Sequence, residues 1–566
     1  MLNGEKNLVV GGVAGGASAP ARVRRLDETA EIIMFEKGPH VSFSNCALPY
    51  HLSGVVENSE DLVLISPETF KKRYNIEAKV HQEVMEINRD SKTITVKNTL
   101  NNETYVESYD KLVLSPGAAP IRPNIEGVNE DNVFTVRNVV DIERLNTFIK
   151  QKGLKDIAVI GGGFIGVEVA ENLKLAGYNI SLVEFANQMM MPLDYGMVKI
   201  LHKEMVDNEV NLILNDGLKK VGDGYIQTQS GKKVKAEAVV LAIGVRPEIT
   251  LAQNADFEIG ETGVIKVDHN YVTSDKDIYA VGDAIEVYHK LTQTTTRLAL
   301  AGPAQKQARA AADHMYGIPN QNKGVIGSSS MHLFDLNVGS TGLNERMAES
   351  AGISYDSVYI IPADKVGLML NSSPMYFKLV YEVPTGKILG AQAIGKGNVD
   401  KRIDVIATMI TMNGTLEDLK DLELSYSPMM GTAKDVVNHA ALVALNQLYG
   451  RYKEVKVSQV RELVENNAFV IDAREQDEYN GGHLKNAVNI PLSEFRDRLD
   501  EIPKDQPVYI HCRSGQRGYK MVIALENLGF ENVFNISGSY LGICLYEYHD
   551  DLVTGREKIV TEYNFK

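Results

Sequence analysis

The chain has 566 residues, of which 44% are hydrophobic and 23% charged, with a formal net charge of -15. At about 100–200 residues per domain this length predicts roughly three to five domains of ordinary soluble composition. The acidic balance argues against non-specific nucleic-acid binding and against anionic membrane surfaces, and no run approaches the about 18 apolar residues of a membrane span.

Residues 7–10 read as a strand that runs into the glycine turn Gly11-Gly12-Val13-Ala14-Gly15-Gly16. A helix over 17–26 follows, with Pro20 in its first turn, where proline is tolerated, and then a strand over 31–36 ending on Glu36. The plan recurs at 156–184, with the turn Gly161-Gly162-Gly163-Phe164-Ile165-Gly166, a helix over 167–177 and a strand ending on Glu184. Two copies of one strand–turn–helix–strand unit imply parallel α/β layers and two dinucleotide sites. Leu112–Pro120, with Pro116 and Gly117, and Val239–Glu248, with Gly244, read as paired crossover strands between them.

From residue 325 strand-like segments precede helices at 400–413, 415–422 and 431–448, an α+β pattern. Residues 449–456 are polar and read as a linker, and the last ~110 residues start a further α/β pattern. The domains expected are therefore 1–119 with 249–324, 120–248, 325–448 and 457–566.

The second turn is a full G-x-G-x-x-G. Its glycines allow a tight turn, close approach of the backbone to a pyrophosphate, and packing of helix on strand. Glu184, 18 residues after Gly166, is placed to bind a ribose 2′-hydroxyl and to repel a 2′-phosphate, which favours NADH over NADPH. A surface glutamate is the plainer reading. The first turn carries Val13 at the middle-glycine position, but Glu36 closes its second strand and assigns it to FAD, with Lys37 alongside. The strand ending in Gly282-Asp283 supports that assignment, since a carboxylate there can meet flavin hydroxyls.

The three cysteines, Cys46, Cys512 and Cys544, cannot form a disulfide framework, and the N-terminus lacks a signal-peptide layout, so a reducing, cytoplasmic location is expected. Cys46 has no second cysteine near it; the next lies 466 residues on. It must exchange with a diffusible sulfur or be oxidised to a sulfenic acid, and a place near a helix start and a flavin would lower its pKa. Most free cysteines are buried and inert, which is the competing reading.

The order of glycine turn, single cysteine, second glycine turn and Tyr279-Ala280-Val281-Gly282-Asp283 resembles the flavin disulfide reductases. More narrowly, Ser42-Phe43-Ser44-Asn45-Cys46-Ala47-Leu48-Pro49-Tyr50 is similar to the active-site segment of coenzyme A disulfide reductases, and the likeness spans about residues 6–445. The C-terminal region resembles rhodaneses through Asp472-x-Arg474, Glu478-Tyr479, Gly482-His483, Asn489-Ile490-Pro491 and a loop running from Cys512 to Arg517. That C-x4-R loop is one residue shorter than a phosphatase loop, and its backbone N–H groups with the following helix start would stabilise a thiolate or persulfide. Cys544 has no such setting and reads as structural.

The resemblance to the fused coenzyme A disulfide reductase–rhodanese proteins implies a homodimer of four domain types. These are two Rossmann-like FAD- and NAD(P)-binding domains, an α+β dimerisation domain and a rhodanese-like domain. It implies that NADH reduces FAD, that Cys46 takes the substrate sulfur, and that a tyrosine matched by Tyr426 protonates the leaving thiolate from the partner subunit. Coenzyme A, as bound thiol or substrate, would meet Ser18, Arg22, Arg25, Ser42, Asn45, Arg73 and Lys434. Arg22, Arg24 and Arg25 lie on one helix and Lys71, Lys72 and Arg73 form a second cation group, although such runs are usually solvated faces. Leu368 and Met369 stand where the family commonly carries a second tyrosine, and Pro428-Met429-Met430-Gly431 replaces its Pro-Pro-Tyr. The acceptor is thus coenzyme A persulfide, polysulfide or coenzyme A disulfide, with an NADH oxidase or peroxidase cycling Cys46 through sulfenic acid as the alternative. No metal and no nucleic acid or membrane partner is expected.

Overall fold

The computed structural model describes residues 4–565. The chain divides into two compact units, one running to Asn187 and resuming over Ile213–Val325, the other formed by Gln188–Leu212 and the chain from Ile326 onward.

In the first unit the apolar runs become two parallel sheets. One has the strand order Ile278–Ala280, Lys111–Leu114, Lys6–Val10, Glu31–Phe35, Glu77–Lys79. Leu8, Val9, Leu112, Val113, Met34 and Phe35 are buried, as near-continuous apolar strands covered on both faces require. Helix Ala14–Leu26 packs against helix Ala301–Met315 through Ala19, Val23, Ala308, Ala311 and Ala312, whose small side chains allow close approach. The second sheet sets Asn179–Val183, Asp156–Ile160, Ala238–Leu241 and Val133–Thr135 in parallel. Strands Ala118–Pro120 and Val245–Pro247 pair antiparallel, with Ala119 opposite Arg246.

Helix Ala14–Leu26 starts three residues earlier than the sequence pattern indicated, so Pro20 falls in its interior rather than its first turn. The early start follows from the turn. A β-carbon on Gly16 would stand 1.9 Å from the Gly11 carbonyl oxygen, so this glycine lets the chain coil at once. The missing N–H of Pro20 leaves the Gly16 carbonyl without its helical donor.

The second unit holds an antiparallel sheet in the order Ser329–Leu333, Leu336–Gly342, Ile388–Gly395, Met375–Glu382, Tyr355–Ile360. Helices Val399–Thr411, Leu416–Asp421 and Val436–Leu448 accompany it. The last begins five residues later than expected, because Asp435 and Asn438 form a capping box there. The C-terminal sheet is parallel, in the order Glu454–Val455, Val533–Ile536, Val508–His511, Phe469–Asp472, Val488–Asn489. Its edge strand lies inside the stretch 449–456 that reads as linker, and Tyr452 is buried in the core beside it. The Tyr452 hydroxyl donates to Glu454 at 2.6 Å and accepts from Asn535 at 2.6 Å, a pairing that polarity alone hides.

Residues 188–212 belong to this second unit for a polar reason. The Asp194 N–H donates to Gln392 Oε1 at 2.7 Å, and the Asp194 carboxylate accepts from Gln392 at 2.7 Å and pairs with Lys378 at 2.8 Å. Helix Tyr195–Asp207 then packs on helix Ser539–Thr554. Among the described residues no helix is long and apolar enough to cross a membrane.

Candidate active site

The two glycine turns superpose in their chemistry. Gly11 and Gly161 both take positive φ, at +95° and +109°, which an L side chain rarely adopts. A β-carbon on Gly16 or Gly166 would stand 1.9 Å from the carbonyl oxygen of Gly11 or Gly161 respectively. Glu36 accepts from the N–H groups of Gly12 and Gly38, each at 2.9 Å. Glu184 accepts from those of Gly162 at 2.6 Å and Ala186 at 2.8 Å. Each strand-end carboxylate is thus fixed at the mouth of its turn. The difference sits at the middle position: Val13 occupies the first turn, whereas a β-carbon on Gly163 would meet nothing within 4 Å. That open cradle at the start of helix Phe164–Leu175, with Phe164 and Ile165 in its first turn, fits a dinucleotide pyrophosphate. Gly15 in the first turn is also constrained, since its β-carbon would lie 2.9 Å from Ser115 Oγ and from Val281. Ala14 opens the helix and Lys37 is exposed just after Glu36.

Of the residues placed around the cofactor sites by sequence, Gly117 and Gly282 follow strands of the first sheet, whereas Gly244 follows strand Ala238–Leu241 of the second. Gly117 and Gly244 take positive φ at +70° and +110°. The Gly117 carbonyl accepts from Glu248 at 2.9 Å and the Gly244 carbonyl from Ile121 at 3.0 Å, so Pro116 and both glycines lie where the crossover strands meet. Gly282, at φ +82°, donates to Gln307 Oε1 at 2.8 Å and sets Asp283 just past its strand. Burial pushes the Asp283 carboxyl up, and Arg137 opposes that.

Cys46 is exposed in a one-turn helix, Asn45–Ala47, directly ahead of helix Leu48–Ser53. The loop before it is anchored at Ser42, in the left-handed region at φ +50°, which donates to the Gly12 carbonyl at 2.7 Å and accepts from Leu64 at 2.9 Å. This ties the cysteine segment to the first glycine turn. Helix Leu48–Ser53 rests on helix Phe164–Leu175, and the Ser53 hydroxyl donates to Asn172 at 2.6 Å.

The surroundings of Cys46 correct one expectation. Its thiol is pushed up rather than down, first by burial, then by the carboxylates of Glu168 and Asp283. A three-residue helix supplies little positive potential, and the charged groups acting on the thiol are both acids. Glu168 is the residue sequence reading missed. Burial and the neighbouring Glu171 hold its carboxyl at about 7, and it also raises the Tyr50 phenol. The signal was present in FIGVEVAENLKL, where two acids three residues apart share one face of a largely apolar helix.

The proposed coenzyme A residues are unequal. Ser18 donates to the Ala14 carbonyl at 2.7 Å. Arg22 pairs with Asp313 at 2.5 Å, while Arg25, Asn45 and Arg73 are exposed. Arg24 is no ligand candidate: it is buried and donates to the carbonyls of Tyr74, Asp27, Glu28, Ala30 and Asn75. In the second unit Lys434 is exposed, as are Tyr426, Leu368 and Met430. The Val366 N–H donates to the Gly431 carbonyl at 3.2 Å, which brings the segments around 366–370 and 426–431 together.

Cys512 is buried at the end of strand Val508–His511. Gly515, at φ +110°, aims its N–H at Cys512 Sγ from 3.2 Å, and Ser539 Oγ stands 3.9 Å from the same sulfur. Arg517, in the first turn of helix Gln516–Asn527, pairs with Glu478 through two contacts of 2.6 and 2.7 Å. The remaining signature residues form the frame. Asp472 and Arg474 make a buried ion pair at 2.6 Å, with Arg474 over the Tyr540 ring at 4.1 Å. Asn489 donates to the Asp472 and Arg474 carbonyls at 3.0 and 2.8 Å, and His483 stacks on Tyr479 at 3.8 Å. Cys544 is buried and its thiol is raised to about 11, chiefly by burial.

Known proteins agree with this geometry. Residues 5–308 match the pyridine nucleotide-disulphide oxidoreductase family, residues 328–436 its dimerisation domain, and residues 456–545 the rhodanese-like domain. The chain belongs to the pyridine nucleotide-disulphide oxidoreductases and is a flavoprotein enzyme carrying a rhodanese domain. It is 32% identical over 434 residues to the coenzyme A disulfide reductase of Staphylococcus epidermidis, covering 76% of this chain and 98% of that one. Within the family it stands with the coenzyme A disulfide reductase–rhodanese fusions. The reduced Bacillus anthracis CoADR-RHD crystal structure matches with a TM-score of 0.93 and 44% identity, over 96% of this chain and 99% of that one. A NAD-dependent persulfide reductase from A. fulgidus matches with a TM-score of 0.90 and 31% identity, over 95% and 99%.

Proposed function

We propose that the chain uses NADH to reduce the sulfur–sulfur bond of coenzyme A persulfide, polysulfide or coenzyme A disulfide at Cys46, while Cys512 carries sulfane sulfur. One observation carries the reading: Cys46 is an exposed, solitary thiol held against the first glycine turn through Ser42 and within the field of Asp283 and Glu168. A solitary thiol there serves an outside sulfur. FAD, when bound, would take two electrons from NADH and release them to a sulfur–sulfur bond. The cradles at Gly11–Gly16 and Gly161–Gly166 hold the two nucleotides, and Glu184 favours NADH.

For a persulfide the balance is R–S–SH + NADH + H⁺ → R–SH + H₂S + NAD⁺. The Cys46 thiolate attacks the sulfur that bears R, and HS⁻ leaves. Reduction of the resulting Cys46–S–S–R bond returns Cys46 to a thiolate and releases R–S⁻, which takes a proton from Tyr426 of the homodimer. Arg25, Arg73, Asn45, Ser18, Ser42 and Lys434 would bind coenzyme A, and Arg22 would do so alongside its bond to Asp313. In the rhodanese domain the Gly515 N–H, the Ser539 hydroxyl and Arg517 would hold the charge of a Cys512 persulfide.

Anaerobic NADH oxidation against each acceptor, with Cys46→Ser and Cys512→Ser beside the parent, tests the reading. The first variant should lose all sulfur reduction, and the second only activities that need sulfur relay. Wild-type-like rates in Cys46→Ser overturn it. The alternative of an NADH oxidase has support in a likeness to a water-forming NADH oxidase from Lactobacillus brevis, with a TM-score of 0.75 and 26% identity over 79% of this chain. Oxygen or peroxide turnover faster than turnover of every sulfur acceptor would favour that reading.

A further inference from the structure

Helices Tyr195–Asp207 and Ser539–Thr554 meet along a seam that holds two buried histidines. The rings of His202 and His549 face each other with centroids 5.0 Å apart and planes inclined by 54°. Among the described residues, none of their four ring nitrogens has a hydrogen-bond partner. A buried polar group without a partner is destabilising, so this contact is costly unless it does something.

The charged neighbours define what protonation would meet. On the first helix, Lys199 is buried and paired with Asp550, and Lys203 is paired with Asp207 and lies over the Phe565 and Tyr548 rings. On the second helix, Asp550 Oδ1 is 3.6 Å from His549 Nδ1, but that carboxylate already serves Lys199 and the Tyr195 hydroxyl. Glu547 and Asp551 are taken up by Arg461 and Arg556, and Tyr546 packs edge-on to Tyr195. Strand Ile388–Gly395, which the first helix also touches, has no ionisable side chain. A proton added to His202 therefore places a new cation beside Lys199, and among the described residues the one carboxylate that reaches the pair of rings, Asp550, is already engaged by Lys199 and Tyr195.

We propose that the His202–His549 contact is an acid-released latch: the neutral rings close the seam between the two helices, and proton uptake opens it. Burial, followed by Lys199 and His549, holds the His202 imidazole well below its ordinary value. A histidine lowered in the folded state contributes its stability in full above about pH 6.5 and loses it as the pH falls from there. The latch is closed at neutral pH and opens in acid. Its effect reaches the sulfane site along one helix. The Tyr540 N–H donates to the Cys512 carbonyl at 3.0 Å, and Ser539 accepts from the Cys512 N–H at 3.1 Å, at the start of the helix that carries His549.

Hydrogen exchange on the full chain, from about pH 8 to about pH 5 and corrected for intrinsic exchange chemistry, tests this. Protection of Tyr195–Asp207 and Ser539–Thr554, measured against strand Lys6–Val10, should fall roughly tenfold or more, as one lowered imidazole requires. A His202→Phe, His549→Phe double variant should lose that pH dependence. A flat profile in the parent, or the same fall in the double variant, overturns the latch. If the double variant does not fold, the His202 ring signal in the ¹³C-histidine-labelled parent decides. Titration near pH 6.5 with the seam still protected overturns the proposal, and titration only as protection is lost supports it.

Discussion

Gly163→Ala separates what the second glycine turn does for the fold from what it does for the nucleotide. Gly163 caps helix Phe164–Leu175 at φ -79° and ψ -177°, a conformation alanine adopts freely. The new methyl would meet nothing within 4 Å. Fewer unfolded conformations should add about 0.4–1 kcal/mol of stability, while alanine is a poorer cap than glycine by a comparable ~0.5–1 kcal/mol. The two nearly cancel, so Tm should stay within about 3 °C of the parent. Flavin content should be unchanged, because the first turn is a separate structure. NADH should suffer. The methyl stands where the pyrophosphate approaches, and one or two charge-assisted hydrogen bonds lost there are worth about 1.5–3 kcal/mol. That corresponds to a rise of about 10- to 150-fold in KM for NADH. The assay is steady-state NADH oxidation at saturating sulfur acceptor, beside a thermal melt and the flavin absorbance. An unchanged KM, or loss of flavin with NADH binding intact, refutes the assignment of this turn.

Glu168→Gln removes the larger of the two charges acting on Cys46, so its thiol pKa should fall. The pH profile of Cys46 alkylation, followed by peptide mass spectrometry, should shift to lower pH, and an identical profile would show that Glu168 exerts no such control. Arg474→Ala leaves the Asp472 carboxylate buried without its ion partner, a cost of about 3–5 kcal/mol. The rhodanese domain should then melt early in a scan that resolves it, whereas an unshifted melt would place the pair's strength elsewhere. Glu184→Gln should narrow the preference for NADH over NADPH by roughly tenfold in kcat/KM, since it removes the charge that repels a 2′-phosphate. An unchanged ratio would give that discrimination to another residue.

The glycine turns were legible because their spacing has one geometric use, and the structure repeats it down to matching carbonyl approaches and paired carboxylate locks. The rhodanese loop was legible for the same reason: Gly515 and Arg517 stand at fixed offsets from Cys512. What stayed hidden depends on distant partners. Arg22, Arg24 and Arg25 look alike in sequence, yet one meets Asp313, one is buried under five carbonyls and one is exposed. The direction of the Cys46 shift was hidden likewise, because Glu168 and Asp283 lie 122 and 237 residues from it in the chain. Residues 449–456 misled for a third reason: two strand residues and a buried tyrosine are too short a signal to stand out from polar surroundings.

The excursion of Gln188–Leu212 out of the nucleotide-binding unit bears on how this chain can be dissected. Severing it between the reductase and rhodanese portions would strip the C-terminal fragment of the helix that carries Lys199 and His202, and would expose that helix on the other piece. Two halves expressed apart would each carry a raw apolar face, so poor behaviour of either would report a missing neighbour and not a lost chemistry. A fusion interleaved in this way is hard for evolution to undo by deletion, because neither compact unit is contiguous in sequence.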